Sequence, residues 1–97
     1  MPRSVRFLAD VMLGRLARWL RLLGVETFYA DKKAADDDVI RRAMRFDAIL
    51  LTRDELLAEK AKDYVRVFRP SSNDSLEQLR QVTQEFRIRI PKKIPET

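Results

Sequence analysis

Val5-Arg6-Phe7-Leu8-Ala9-Asp10, with the leucines that follow it at helical spacing, sets the fold class of this chain. Residues 5–9 read as a strand. Leu13, Leu16, Ala17, Leu20 and Leu23 then recur every three or four positions, and Gly24 supplies a residue suited to a left-handed helix cap. Residues 25–30 read as a second strand with Val25, Thr27 and Tyr29 on one face. A helix over residues 37–46 carries Ile40, Ala43 and Met44 inward. It leads into Ala48-Ile49-Leu50-Leu51, a continuous apolar run typical of a strand buried on both faces. A short helix follows Asp54, and residues 64–68 form a fourth strand. In the last helix Asp74-Ser75-Leu76-Glu77 reads as a capping box, and Leu76, Leu79, Thr83 and Phe86 share a face. Strand alternating with helix predicts an α/β fold of parallel strands joined by crossovers. Strands two and four mix in polar residues, whereas one and three are the more apolar pair, so the predicted order is 2-1-3-4.

Composition narrows the chemistry. The 97 residues suit one domain, and 45% apolar content suffices for a core. There is no cysteine and no histidine, which removes disulfides, thiol catalysis, zinc ribbons, histidine-dependent triads and the commonest transition-metal ligand. The glycines, Gly14 and Gly24, fit neither a Walker loop nor a dinucleotide fingerprint. Chemistry must therefore rest on carboxylates, cationic side chains, hydroxyls or a bound cofactor. Twenty Lys and Arg against fifteen Asp and Glu give a net charge of +5, which makes polyanions plausible partners. No apolar stretch approaches the roughly 20 residues that span a bilayer. Residues 1–24 are as Arg-rich as an organelle presequence, yet they contain the strand-like opening run. The expectation is a cytoplasmic protein with no membrane partner.

In a doubly wound sheet of order 2-1-3-4, ligands bind beyond the carboxyl ends of the strands where the winding reverses, between strands one and three. Asp10 ends strand one, Asp54 follows strand three, and Asp38 opens the helix entering strand three from the same side. Three carboxylates drawn to one edge repel one another unless a cation neutralises them. An all-oxygen set without imidazole or thiolate selects a hard ion, Mg²⁺ or Mn²⁺. Such a site suits phosphodiester hydrolysis, in which the metal activates water and stabilises charge on the phosphoryl oxygens. Taken singly, Asp38 and Asp54 read equally as helix caps; their coincidence with Asp10 at the switch point favours function. Asp31, Asp36, Asp37 and Glu55 are outer candidates that read more simply as solvated loop residues.

Arg15, Arg18 and Arg21 lie about 60° apart on helix one, opposite its leucine stripe. Arg15 and Arg18, nearest Asp10, are the candidates for holding RNA phosphates, with Arg53 beside Asp54 as a third. A solvated face is the plain alternative. Leu22 falls among the arginines and hints at a protein contact, whereas Trp19 borders the apolar arc and reads as core.

The run Phe7-Leu8-Ala9-Asp10-Val11-Met12-Leu13-Gly14-Arg15-Leu16-Ala17-Arg18-Trp19-Leu20-Arg21-Leu22-Leu23-Gly24 resembles the opening of the PIN-like ribonuclease family named after the C-terminal region of the Mut-seven exonuclease. Asp38-Val39-Ile40 with Ala43, then Ile49-Leu50-Leu51-Thr52-Arg53-Asp54, is similar to its second signature. The resemblance covers roughly residues 5–82. It implies a three-layer α/β/α PIN-like domain over residues 1–86, with a mostly parallel four-stranded sheet and a basic tail over 87–97. It also implies a divalent-metal ribonuclease in which Asp10, Asp38 and Asp54 are the catalytic and metal-binding acids. Many relatives carry a cysteine-rich zinc ribbon after the last helix; here Arg87-Ile88-Arg89-Ile90-Pro91-Lys92-Lys93 follows instead. The PIN acidic set usually has a fourth member, on an element this chain lacks, so weak activity or dependence on a homodimer or protein partner is implied.

Two other classes compete. One is a non-catalytic module that keeps the fold and binds RNA or protein. The other is a phospho-receiver domain, which needs an acidic pair after strand one where this chain offers Asp10 alone.

Overall fold

The computed structural model describes residues 5–90. Its elements are β1 (Arg6–Ala9), a 3-10 turn (Val11–Leu13), α1 (Gly14–Leu22), β2 (Glu26–Tyr29) and α2 (Asp36–Arg45). Then come β3 (Ile49–Leu51), α3 (Glu55–Ala61), β4 (Val67–Phe68) and α4 (Ser75–Glu85). All strand pairs are parallel and the order is β2-β1-β3-β4, as the polarity of the strands predicts. Leu8 stands between Phe28 and Leu50, and Ala9 between Tyr29 and Leu51.

Period-two alternation along the central strands sends side chains into two cores. Phe7, Ala9 and Leu51 pack with Leu16 and Leu20 of α1 and with Leu79 and Val82 of α4. Leu8 and Leu50 pack on the other face with Val39, Ile40 and Ala43 of α2 and Leu57 of α3. The result is a three-layer α/β/α sandwich whose central strands are covered on both sides. Phe86 seals the first core edge-on to Phe7 and Phe68, with ring centroids 5.1 and 5.7 Å apart. Phe28 stacks on Phe46 in the second at 4.4 Å. Trp19 is half-buried against the first core, and Leu22 is exposed, as their helix angles predict.

Several details differ from the sequence reading. Met44 and Leu76 face solvent, 51% and 52% exposed. Each lies about 90° from the centre of its helix's buried stripe, at the limit of an apolar arc. The fourth strand is shorter than expected because the Tyr64 and Val65 N–H groups both donate to the Ala61 carbonyl, closing α3 instead of joining the ladder. The capping box of α4 is half formed. Asp74 accepts from the Glu77 N–H at 3.0 Å, but the Asp74 N–H donates to Ser72 Oγ, and Glu77 turns toward Arg80. Val25, just before β2, is partly buried and Thr27 is buried, while Tyr29 is partly exposed at the strand end and its hydroxyl donates to the Val11 carbonyl. That phenol leaves little room over the 3-10 turn: a Cβ on Gly14 would lie 3.1 Å from it.

Three helices end in the same way. After α1 the Val25 N–H donates to the Leu20 carbonyl and the Gly24 N–H to Arg21, with Gly24 at φ 85°; this is a Schellman cap. Asp47 closes α2 and Arg87 closes α4 at φ 52° and 54°, with Ala48 and Ile88 as the residues that follow. Ile88 packs on the first core, so the fold's own contacts run two residues past the expected boundary at 86. Residues 1–4 and the tail positions 91–97 lie outside the described residues. Arginine bears the steric cost of the left-handed region that glycine does not. Arg87→Gly is accordingly expected to stabilise the protein by about 0.5–1 kcal/mol, read as a higher midpoint in urea with an unchanged slope. An unchanged or lower midpoint would show that the arginine side chain offsets its backbone cost.

Candidate functional site

The carboxyl ends of β1 and β3 meet at the switch point, and the backbone ties them: the Asp10 N–H donates to the Leu51 carbonyl at 2.9 Å. Asp10 caps the 3-10 turn, its Oδ1 accepting from the Val11 N–H at 2.8 Å. Its Oδ2 accepts from the Thr52 hydroxyl, also at 2.8 Å. Thr52 Oγ in turn accepts the Asp54 N–H at 3.0 Å. Asp54 caps α3, its Oδ1 accepting from Leu56 and Leu57 N–H at 2.9 and 3.2 Å. Thr52 is fully buried and thus a fixed link between residues 44 positions apart in the chain. Sequence reasoning names Asp10 and Asp54 but passes over Thr52. The signal that could have found it is a hydroxyl two residues before a helix-capping acid, the spacing of a local Ser/Thr turn.

Asp38 does not join them as expected. It is the third residue of α2 and its carboxylate accepts from Arg41 at 2.8 Å, one turn along the same helix. Among the described residues, no three acids are close enough to hold a metal ion. The expected three-way convergence is therefore corrected to a linked pair, because an arginine three residues on gives Asp38 a local partner. Asp36 leans toward Lys60 at 3.6 Å, and the acidic first turn of α2 complements its helix dipole.

The cations divide in two. Arg15 and Arg18 are exposed and form no ion pair or hydrogen bond among the described residues. Arg21 donates to the Thr27 carbonyl at 2.8 Å, and Arg53 to the Pro70 carbonyl at 3.3 Å, which fastens the loop after β3 to the loop after β4. Arg53 is thus a brace for the loop carrying Asp54.

A cleft among the described residues lies elsewhere. It encloses about 570 Å³ at the amino ends of β1 and β3, lined by Val5, Arg6, Met44, Ile49, Tyr64 and Arg66 among others. Asp47 is the acid on its wall. Size is the weaker guide here, since open parallel sheets bind ligands at the other edge, where the Thr52-linked aspartates stand.

The model of one family, the Mut7-C RNAse domain, matches residues 5–96. The chain belongs to that family. Comparison with curated proteins and with solved structures finds no match. The Mut7-C match spans every described element, so both halves of the linked pair fall within it. Membership gives the chain a nuclease-like character. No helix among the described residues is long and apolar enough to cross a membrane.

The donor chemistry of the pair suits a hard cation. It offers carboxylate oxygens only, and Asp54 Oδ2 accepts no hydrogen bond among the described residues. Each Asp10 oxygen holds one protein donor and keeps acceptor capacity. A Mg²⁺ ion is commonly held by one or two carboxylates with substrate phosphate and water completing its shell.

Proposed function

We propose that this Mut7-C domain is a divalent-metal-dependent ribonuclease that hydrolyses RNA phosphodiester bonds at the Asp10–Asp54 pair. The observation that carries this reading is the buried Thr52 hydroxyl between them, which fixes Asp10 and orders the backbone of Asp54. Asp10 and Asp54 would hold a Mg²⁺ or Mn²⁺ ion. That ion would lower the pKa of a bound water and stabilise charge on the phosphoryl oxygens. The Asp38–Arg41 pair is solvent-exposed and worth about 0–1 kcal/mol, little enough for Asp38 to exchange it for a role as a further ligand. Arg15 and Arg18, free of acids among the described residues, would take RNA phosphates; Arg53 would hold the Asp54 loop in place.

The test is cleavage of a labelled RNA oligonucleotide by the metal-stripped protein. We expect no cleavage with EDTA present, activity on adding Mn²⁺ or Mg²⁺, and no activity with Ca²⁺ or Na⁺ alone. Cleavage indifferent to chelation would overturn the metal-dependent reading. RNA binding without cleavage under any ion would favour the non-catalytic module, a reading that the separation of Asp38 from the linked pair supports.

A further inference from the structure

The turn that carries Asp10 is held by a side chain from another strand. Val11 is the link: its N–H donates to Asp10 Oδ1 at 2.8 Å, and its carbonyl accepts the Tyr29 hydroxyl. Tyr29 ends β2 in register with Ala9, the residue before Asp10, and the Ala30 N–H donates to the Ala9 carbonyl at 2.9 Å. Its phenol reaches the first residue of α1, Gly14. A Cβ there would lie 3.1 Å from the Tyr29 hydroxyl oxygen and 3.5 Å from the ring carbon that bears it.

Packing does not account for this phenol, since Tyr29 is partly exposed and stands outside both cores. The turn needs the anchor. Of its three residues only Leu13 is buried, whereas Val11 is half-buried and Met12 exposed. A 3-10 turn also has poorer hydrogen-bond geometry than an α-helix, so a donor fixed on the neighbouring strand sets where Val11 sits. Gly14 is the matching half of the contact. Its φ of −61° suits any residue, and alanine is the better helix former; glycine here supplies space for the phenol rather than backbone freedom. The Asp10 carboxylate is thus oriented through both oxygens, Oδ2 by Thr52 from β3 and Oδ1 by Val11, which Tyr29 holds from β2.

We infer that Tyr29 is a positioning residue for the Asp10 carboxylate, acting through Val11, and that Gly14 makes room for its phenol. This rests on the reading of Asp10 as a metal ligand in a ribonuclease, and the experiment separates the two. Tyr29→Phe, Gly14→Ala and the double variant are compared with the parent, all metal-stripped and all well below their unfolding temperatures. Mn²⁺ binding is read without RNA from the electron paramagnetic resonance signal of the free ion, and RNA cleavage is read as a function of Mn²⁺. Tyr29→Phe keeps the ring and loses one hydrogen bond. It is expected to raise both the Mn²⁺ dissociation constant and the Mn²⁺ concentration for half-maximal cleavage by about fivefold. KM for RNA should not move, and kcat at saturating Mn²⁺ should stay within about twofold of the parent, because an ion in excess restores the site. Gly14→Ala should act in the same direction by pushing the phenol off the Val11 carbonyl. In the double variant the alanine should cost nothing further, since the oxygen it would crowd is gone.

A Tyr29→Phe protein that binds Mn²⁺ as the parent does, whatever its Tm, overturns the inference and leaves the ribonuclease reading standing. Losses that multiply in the double variant overturn the role of Gly14. A parent that binds Mn²⁺ and cleaves nothing overturns the ribonuclease reading alone, and a parent that binds none overturns both.

Discussion

Replacing Asp10 by asparagine is expected to lower RNA cleavage by on the order of 10²–10³-fold while the protein stays folded. The substitution removes one negative charge and little else. The asparagine carbonyl can still accept the Val11 N–H, so the 3-10 turn keeps its cap. Its amide can donate to Thr52 Oγ, which has a lone pair to spare beside the one taken by Asp54. The buried Thr52 proton then loses its acceptor, at about 1–2 kcal/mol of stability. Activity should therefore fall far more than the unfolding midpoint does. Asp38→Asn in the same assay grades the site: its carboxylate is exposed and paired locally, so a loss of about tenfold or less is expected. Cleavage at the parent rate by Asp10→Asn would remove the hydrolytic centre from this edge. A larger loss for Asp38→Asn than for Asp10→Asn would make Asp38 the principal ligand.

Thr52→Val is the sharper test of how the pair is held. Valine keeps the shape of threonine and deletes the hydroxyl that joins the acids. A hydrogen bond to a carboxylate disappears, and the Asp54 N–H is left without its acceptor. Together these should cost about 2–3 kcal/mol, a drop in Tm of about 10 °C or more for a domain of this size. Cleavage should fall more than tenfold, because Asp10 loses the donor that fixes its carboxylate and the Asp54 loop loses its turn. Thr52→Ser is the control. It keeps the hydroxyl, loses one methyl worth about 0.8 kcal/mol, and should retain most of the activity. Equal damage by serine and valine would assign Thr52 to packing alone.

The site was only partly legible in advance, for a physical reason that its residues make plain. Asp10 and Asp54 could be named because each directly follows a central strand, and strand polarity alone carries both to one edge. Asp38 stands in the first turn of α2, but no sequence rule says whether its carboxylate faces across the edge or back along its own helix. Arg41, one turn on, decides that locally. Thr52 stands within the Ile49–Asp54 signature, but its link to Asp10 depends on what stands opposite it, 42 positions away. Arg53 was a candidate phosphate contact and proves to be fastened to Pro70, a partner visible only once β3 and β4 lie side by side.

By itself the sequence determined the parallel sheet and its order, the helix starts at Asp54 and Asp74, the left-handed stop at Gly24 and the membership of the chain in a nuclease family. The elements follow from periodicity, steric limits on the backbone and local hydrogen bonding, which act over a few residues, whereas the family follows from the likeness of residues 5–96 to its model. Only the tertiary structure decided that two acids rather than three are joined, that a buried hydroxyl joins them, and that Met44 and Leu76 leave the core. Each of those outcomes is a competition between a local partner and a distant one, and its result depends on packing that places the distant partner within reach.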